Sequence, residues 1–446
     1  MAVTRRQFVA GMSALAASMG FNSAQIAKIT EALAAPKGLY AGGKKPKVIW
    51  VHGAECTGCS VSLLSLFEDA RATIDGTPHS TVAALGLAYG QAGIPRTFHN
   101  AGLNVDAPGA ESTAAAGVIV NVQDVLVDWL DLQYHETVMA MGGDQAYDYL
   151  KANMEYTGGQ DPFVLVVEGA TQDIKKGGAW DDTGHHPWCS IGMPDDGSDD
   201  LSFDKVVEKL ANRPDCAAVI SIGQCASFGG FPAAISPAFI GKGDAGGNQT
   251  GAQGTFDFLS GSGAEGKVIN VPGCPPNPWW FVLTVVAWLV DFQNLPTTVG
   301  GSGPLGILRR TGTGILDIAV NAAAVDSSRR LRAAYPTVLH TSACPRYPDF
   351  GKGKFAVTPG DDGCLLLMGC KGNNTKSLCF RRGWNGQQPG NVHADSIDKR
   401  EMAKLGAYGT ATNTRYRGGN CIVAGHPCMA CTEKGYPDRY VPFVDR

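Results

Sequence analysis

The sequence has 446 residues, which is enough for two domains whose hydrophobic cores need no covalent cross-links. Its 13 cysteines are an odd number, so they cannot all pair as disulfides, and the short spacings between them suit metal ligation better than loop closure. The net charge of −4 and the scattered lysines and arginines argue against nucleic acid or a membrane surface as a partner.

The first 36 residues have the composition of an export signal. Arg5 and Arg6 precede Phe8 and a weakly apolar run, and the segment 32–36 offers a cleavage site of small residues. This pattern predicts a twin-arginine signal peptide at residues 1–36 and a periplasmic location; an ordinary amphipathic N-terminal helix is the alternative. The twin-arginine route exports folded proteins, which suits a protein that acquires its cofactors before export.

Apolar, β-branched runs alternate with helix-like segments between residues 46 and 300. The predicted strands are Val48 to Val51, Val118 to Val122, Phe163 to Val167, Ala217 to Ile222 and Val268 to Val271, and the predicted helices are Ser60 to Ala72, Asp124 to Met141 and Phe203 to Ala211. Such alternation predicts an α/β domain with a doubly wound parallel sheet, whose ligands lie at the carboxyl ends of the strands.

The chain changes character at about Gly300, where a glycine-rich linker begins. Beyond it the strand signals fade and cysteines become frequent, which predicts a small, loop-rich second domain at residues 301–446 that is held together by metal clusters. No segment after the signal has the roughly 20 apolar residues of a membrane span. The best candidate, Trp279 to Phe292, has the length of a core helix, so any membrane attachment would come from a partner.

Four cysteines follow predicted strands of the first domain. Cys56 and Cys59 come directly after the first strand, Cys225 follows the fourth and Cys274 follows the fifth. A doubly wound sheet brings these positions to one edge. Four thiolates suit a cubane iron–sulfur cluster or a zinc ion, and we favour the iron–sulfur cluster over zinc.

The sequence resembles the small subunits of nickel–iron hydrogenases in three motifs that contain these cysteines: Glu55-Cys56-Thr57-Gly58-Cys59, Gly223-x-Cys225-x-x-x-Gly229-Gly230 and Pro272-Gly273-Cys274-Pro275-Pro276-Asn277-Pro278. The resemblance covers nearly the whole chain. It implies a flavodoxin-like first domain whose Cys56, Cys59, Cys225 and Cys274 bind the proximal four-iron cluster. Gly58 and Gly230 stand where oxygen-tolerant relatives have additional cysteines, so the resemblance implies an ordinary proximal cluster.

The same resemblance implies two clusters in the second domain. The distal four-iron cluster would be bound by His340, Cys344, Cys364 and Cys370, and the medial cluster by Cys379, Cys421, Cys428 and Cys431. Three residues separate His340 from Cys344 where the family usually has two, and a surface histidine is the alternative for His340. Cys421 stands where many relatives have a proline, so it would complete a medial cluster of four irons rather than three; a buried free thiol is the alternative.

Two cysteines and one carboxylate near the motifs are left without a ligand role. Cys216 precedes a strand and is expected in the core. Cys189 lies in a polar loop that we expect to face a large subunit, and a metal site with the neighbouring histidines is the alternative. Glu55 is either structural or part of a network that moves protons or joins the two subunits.

The implied function is that of the hydrogenase subunit without the nickel. Hydrogen would be split at a nickel–iron centre in a separate large subunit, and electrons would leave singly through the proximal, medial and distal clusters to a cytochrome or to a membrane-bound quinone-reducing acceptor. Export favours the direction of hydrogen uptake. The alternatives are an iron–sulfur electron-transfer subunit of a different redox complex and a zinc-binding protein without a redox role.

Overall fold

The structure is a computed structural model. It describes residues 47–64, 73–74, 77–78, 126, 130–158, 161–176, 187–192, 201–234, 250–285 and 325–444, except 279, 283, 333, 336–337, 342–343, 345, 378, 380–420 and 423–424. The predicted signal peptide, the predicted strand Val118 to Val122 and the predicted linker after Gly300 lie outside the described residues.

A parallel sheet of five strands forms the centre of the first part of the chain. Its strands, numbered in chain order, are β1 (Lys47–His52), β2 (Asp131–His135), β3 (Phe163–Glu168), β4 (Cys216–Ile222) and β5 (Val268–Val271). They are arranged in the order β2-β1-β3-β4-β5, and each neighbouring pair is parallel. This is the strand order of flavodoxin-like sheets, with a topological switch point between β1 and β3. The predicted fold class is confirmed.

The register of the sheet aligns the ends of four strands. His52 at the end of β1 pairs with Glu168 at the end of β3, Glu168 pairs with Ile222 of β4, and Ile222 pairs with Val271 of β5. Because these four residues form one row, the loops that follow them leave the sheet at the same edge.

Helices cover both faces of the sheet. They are α1 (Gly58–Leu64), α2 (Gly143–Met154), α3 (Phe203–Asn212), α4 (Gly223–Phe228) and α5 (Thr255–Phe258). On one face, α2 and α3 bury Leu150, Val206 and Leu210 against alternate strand residues such as Leu165. On the other face the ring of Trp50 contacts Phe281, with centroids 5.4 Å apart.

Short elements complete the first part of the chain. Two pairs of two-residue strands lie outside the main sheet: Thr73–Ile74 with Thr77–Pro78, and Thr171–Gln172 with Ala252–Gln253. Single turns of 3₁₀ helix occur at Ile174–Lys176, Phe231–Ala233 and Glu265–Lys267.

One element differs in type from its sequence-based prediction. The helix predicted over Asp124 to Met141 is wrong in its second half, because Asp131–His135 forms β2 and pairs with β1. Extended backbone in this segment satisfies the hydrogen-bonding groups along the open side of β1 and buries Tyr134 to 1% exposure. The other four strands agree with the prediction to within one residue at each end.

The described residues from 325 onward contain little regular structure. Their elements are a helix α6 (Tyr347–Phe350) and two 3₁₀ turns, Leu365–Met368 and Asp438–Tyr440. A small hydrophobic cluster holds them together; it includes Leu339, Ala356, Leu365, Met368 and Ile422, and the thiol-bearing Cys344 and Cys428 belong to it. This agrees with the prediction of a loop-rich second part.

The C-terminal part packs on the carboxyl edge of the sheet. The backbone N–H of Asn270 in β5 donates to the carbonyl of Arg329 (3.0 Å), and the hydroxyl of Tyr335 donates to the carbonyl of Pro272 (2.7 Å). Within the described ranges, no helix combines the length and apolar composition needed to cross a bilayer.

Candidate metal centres

Four cysteines meet at the carboxyl edge of the sheet. Cys56 and Cys59 lie between β1 and the first turn of α1, Cys225 lies in the first turn of α4, and Cys274 lies just after β5. Burial, together with the nearby Cys274 and Cys56, raises the pKa of Cys225 to about 12. Burial also raises the pKa of Cys59 well above its ordinary value, with added contributions from Glu168 and the other three thiols. The four sulfur atoms therefore lie within electrostatic reach of one another.

Glycines allow the backbone to approach these thiols. A Cβ atom at Gly223 would clash with the Sγ atom of Cys59, and one at Gly230 would lie 2.8 Å from the Sγ atom of Cys225. Both glycines have positive φ angles, +88° and +54°, which other residues adopt only with strain. The edge is thus shaped as a cradle whose walls are glycine backbone and thiols, and such a cradle fits a bulky cluster better than a single ion.

Glu168 anchors the segment that carries Cys59. Its carboxylate is fully buried and accepts hydrogen bonds from the backbone N–H of Ser60 (3.0 Å), the hydroxyl of Ser60 (2.5 Å) and the indole N–H of Trp50 (3.0 Å). Burial raises the pKa of Glu168, although the nearby His52 and the Ser60 hydrogen bonds oppose that change. Glu168 has no predicted role from the sequence, where its only signal is a lone charge at the end of an apolar strand.

A compact polar group supports the loop of Cys56. The Nδ1 atom of His52 lies 3.2 Å from the carboxylate of Glu55, which also accepts a hydrogen bond from the hydroxyl of Thr57 (3.1 Å). Thr57 has a φ of +60°, so this contact stabilises a strained turn. Candidate ligand atoms of His52, Glu55 and Glu168 lie within 4.8 Å of one another. Since Glu168 already accepts three hydrogen bonds, we interpret the group as support for the loop rather than as an ion site.

The residues predicted to bind the distal cluster surround one cavity in the C-terminal part. His340, Cys344, Cys364 and Cys370 all line it. The Nε2 atom of His340 lies 3.9 Å from the Sγ atom of Cys364. The rings of Tyr347 and Phe350 contact the imidazole edge-on, with centroid distances of 5.2 and 4.5 Å. His340 therefore faces the thiols despite its unusual spacing from Cys344.

The residues predicted to bind the medial cluster also lie together. Burial raises the pKa of Cys379 well above its ordinary value, and Cys431, Cys428 and Cys421 add to that increase. Burial raises the pKa of Cys428 to about 12, with contributions from Cys370 and Cys421. Cys421 is exposed by surface area, yet partial desolvation of its thiol and the nearby Cys370 raise its pKa.

The three groups of thiols form a continuous series. The thiol of Cys431 interacts with the backbone of Cys274, which joins the medial group to the group at the sheet edge. The backbone N–H of Cys428 donates to the Sγ atom of Cys370 at 3.3 Å, which joins the medial group to the group around His340. Bound metal clusters would thus stand in a row, with the medial group in the middle.

The two remaining cysteines lie outside these groups. Cys216 is 1% exposed in β4, and burial raises its pKa to about 11, so the expectation of a core residue is confirmed. Cys189 is partly buried and packs against the hydrophobic core; its carbonyl accepts a hydrogen bond from the backbone of Phe203 at the start of α3. The neighbouring histidines at 185 and 186 lie outside the described residues.

Two known families match separate segments of the chain. Residues 113–288 match the family described as NADH ubiquinone oxidoreductase, 20 Kd subunit. Residues 335–397 match the family that describes the C-terminal part of the NiFe/NiFeSe hydrogenase small subunit.

Similar proteins of known name extend over nearly the whole chain. The periplasmic [NiFeSe] hydrogenase small subunit of Desulfomicrobium baculatum is 27% identical and covers 99% of both chains. The periplasmic [NiFe] hydrogenase small subunit 1 of Nitratidesulfovibrio vulgaris is 26% identical over 99% of this chain and 93% of its own length. The solved structure of recombinant [NiFeSe] hydrogenase from Desulfovibrio vulgaris Hildenborough matches with a TM-score of 0.56 and 26% identity over 91% of this chain and 99% of that chain. Over nearly its whole length the chain is therefore similar to the small subunits of nickel–iron hydrogenases.

Proposed function

We propose that this chain is the electron-transferring small subunit of a nickel–iron hydrogenase. The observation that carries the proposal is the continuous series of three thiol groups, from the sheet edge at Cys56 to the cavity beside His340. A series of closely spaced binding sites is what a protein needs to conduct electrons between a buried reaction and its surface.

We assign the ligands group by group. Cys56, Cys59, Cys225 and Cys274 bind the proximal four-iron cluster; Cys379, Cys421, Cys428 and Cys431 bind a medial cluster of four irons; and His340, Cys344, Cys364 and Cys370 bind the distal four-iron cluster. When bound, such clusters accept and release single electrons at potentials set by ligand charge, hydrogen bonds and burial. The buried thiols, whose pKa values are raised, would lose their protons when iron binds.

The chain's own residues hold and insulate these sites. Glu168 fixes the position of Ser60 and therefore of the neighbouring Cys59. Tyr347 and Phe350 keep the imidazole of His340 oriented toward Cys364, and both rings are partly exposed, so this end of the series reaches the surface. The imidazole beside that surface suits an exit for electrons to an acceptor.

A large subunit with the nickel–iron centre is the proposed partner at the other end. Cys56 is exposed, and Val61 and Leu64 of α1 expose 60% and 43% of their surface beside it. An apolar helix face next to a cluster ligand suits a surface that a partner covers. The electron acceptor at the exit would be a cytochrome or a membrane-bound quinone-reducing protein.

We further propose the organisation and location of the chain. Residues 1–36 form a twin-arginine signal that exports the protein to the periplasm, residues 46–300 form the flavodoxin-like domain of the proximal cluster, and residues 301–446 form the domain of the other two clusters. In support, the relatives from Desulfomicrobium baculatum and Nitratidesulfovibrio vulgaris carry names that describe them as periplasmic.

The alternative of a subunit from a different redox complex is less well supported. The match of residues 113–288 to a subunit family of NADH ubiquinone oxidoreductase is the observation in its favour. That family does not account for residues 335–397, which match a hydrogenase family. The relatives that span the whole chain are hydrogenase subunits.

The test is to tag this chain in its native host, purify it without oxygen, and measure hydrogen-dependent viologen reduction together with metal content. We expect activity, with about one nickel and about a dozen irons per complex. A brown preparation that contains iron but lacks both nickel and hydrogen-dependent activity would indicate that the chain is a subunit of another redox complex. A colourless preparation that contains zinc would reject the iron–sulfur assignment.

A further inference from the structure

A buried ion-pair network lies between the medial thiols and the sheet. The side chain of Arg330 is only 2% exposed; its Nε atom donates to the carboxylate of Asp326 at 2.9 Å, and its Nη1 atom donates to the carboxylate of Glu433 at 2.9 Å and to the carbonyl of Thr432 at 2.7 Å. Since Thr432 follows Cys431 directly, Arg330 holds the backbone next to one of the proposed medial ligands.

Glu433 extends the network in two directions. Its side-chain oxygen also accepts a hydrogen bond from the backbone N–H of Lys376 at 2.6 Å, three residues before Cys379. Its backbone carbonyl accepts a hydrogen bond from the side-chain amide of Gln224 at 2.9 Å, directly before Cys225. One residue therefore contacts the segments of two proposed medial ligands and one proposed proximal ligand.

The segment that carries Arg330 is itself fixed to the sheet. The carbonyls of Arg329 and Ser328 accept hydrogen bonds from the backbone and side chain of Asn270 in β5, each at 3.0 Å. The guanidinium of Arg330 lies 5.2 Å from the ring centre of Tyr335. Tyr335 in turn donates its hydroxyl proton to the carbonyl of Pro272, two residues before Cys274.

The network is better suited to fixing the positions of the segments that it joins than to raising the stability of the fold. Removing charges from water is costly, and a buried ion pair often contributes little net stability compared with apolar residues of the same shape. What Arg330 and Glu433 provide is a set of directed hydrogen bonds that leaves few alternative arrangements of the segments they join.

We propose that the Arg330–Glu433 pair is a positioning unit that holds the medial ligands Cys379 and Cys431 at a fixed separation from the proximal ligands Cys225 and Cys274. The proposal rests on the function proposed for this chain, because the separation of the two sites controls electron transfer only if both sites hold redox clusters. Neither Arg330 nor Glu433 touches the reacting atoms, so the pair acts through the segments that carry the ligands.

The test compares two substitutions at Glu433 in the purified heterodimer. Glu433→Gln keeps an oxygen that accepts from Arg330 and Lys376, whereas Glu433→Ala removes it. The readout is electron paramagnetic resonance: magnetic interaction between the reduced proximal and medial clusters, and the midpoint potential of each cluster. We expect Glu433→Ala to lose the wild-type interaction and to shift the medial midpoint potential, and Glu433→Gln to retain the interaction.

Lys434→Met is the matched control. Lys434 is the next residue and forms an exposed ion pair with Asp257 at 3.4 Å across the same two parts of the chain, so its loss should leave both readouts unchanged. If Glu433→Ala fails to assemble, Arg330→Lys replaces it, because one ammonium group cannot reach Asp326, Thr432 and Glu433 together. We expect Arg330→Lys to lose the interaction as well.

The outcomes separate the two proposals. A wild-type complex without separate proximal and medial signals would reject the proposed function. The positioning role alone would be overturned if the wild-type complex shows both signals and Glu433→Ala retains the wild-type interaction and medial potential. The same holds for Arg330→Lys where it replaces Glu433→Ala. Loss of the interaction in Glu433→Gln to the same degree as in Glu433→Ala would also overturn it, since the accepting oxygen would then not be the cause.

Discussion

The two parts of the chain hold their thiols in different ways. In the first part, each candidate ligand cysteine follows a strand whose position is fixed by backbone pairing and by a buried core, and the row of His52, Glu168, Ile222 and Val271 aligns the loops. In the second part, the candidate ligands lie in loops and in single helical turns. There, Cys344 and Cys428 are themselves members of the small hydrophobic cluster.

This difference indicates where bound metal contributes to folding. A ligand set that regular structure already holds together loses little conformational entropy when the cluster binds, whereas a set on irregular loops depends on the cluster for its order. We therefore expect the sheet to be stable without iron and the described residues from 338 onward to need it.

The largest effect should follow from the loss of one ligand at the sheet edge. Cys274→Ala should remove the proximal cluster and abolish hydrogen-dependent viologen reduction, because the proposed path from the large subunit to the medial group passes through that cluster. Cys216→Ala is the control, since Cys216 is buried in β4 away from the ligand groups. Iron content and activity are measured on both variants, and equal loss in both would show that the effect is one of folding.

Removal of iron should then distinguish the two parts directly. After anaerobic treatment with a chelator, hydrogen exchange should become fast at residues 338–376 and 425–436 and should remain slow in β1, β3, β4 and β5. The reason is that backbone pairing and a core protect the strands without metal. Equal loss of protection in the strands and in the loops would contradict the comparison.

A smaller effect is expected from a methyl group in the glycine cradle. Gly230→Ala and Gly263→Ala both place alanine at a positive φ, which costs roughly 1–3 kcal/mol, but only position 230 brings the new Cβ against Cys225; position 263 is open. Gly230→Ala should therefore also lower the iron content of the proximal site, and Gly263→Ala should not. Equal iron content in the two variants would reject the close fit between backbone and thiol.

The smallest effect should come from neutralising the anchor of α1. In Glu168→Gln, an amide N–H₂ group would face a donor, either Ser60 or Trp50, which should reduce the free energy of unfolding by about 1–3 kcal/mol. Glu155→Gln is the control, because Glu155 forms an exposed ion pair with Lys209 and should cause no measurable change. Chemical unfolding followed by circular dichroism measures the free energy of unfolding of both variants. An unchanged free energy in Glu168→Gln would reject the anchoring role of Glu168.

Local patterns in the sequence were sufficient for the sheet and for its ligand edge. The apolar runs at β1, β3, β4 and β5 are buried on both faces, so their composition predicts them without any partner, and parallel pairing then requires the following cysteines to share an edge. The family resemblance, which the comparisons confirm, rests on the same motifs.

Contacts between distant residues were decided only by the tertiary structure. Asp131–His135 forms a strand because β1 offers it a partner, a choice that overrides its helix-like pattern. The hydrogen bond from Trp50 to Glu168 joins residues 118 positions apart, and the pair Arg330–Glu433 joins residues 103 positions apart. No spacing or periodicity encodes such pairs, since they depend on how the chain folds back on itself. Because the pairs are largely buried, loss of one member would remove a hydrogen bond from the other where water has little access.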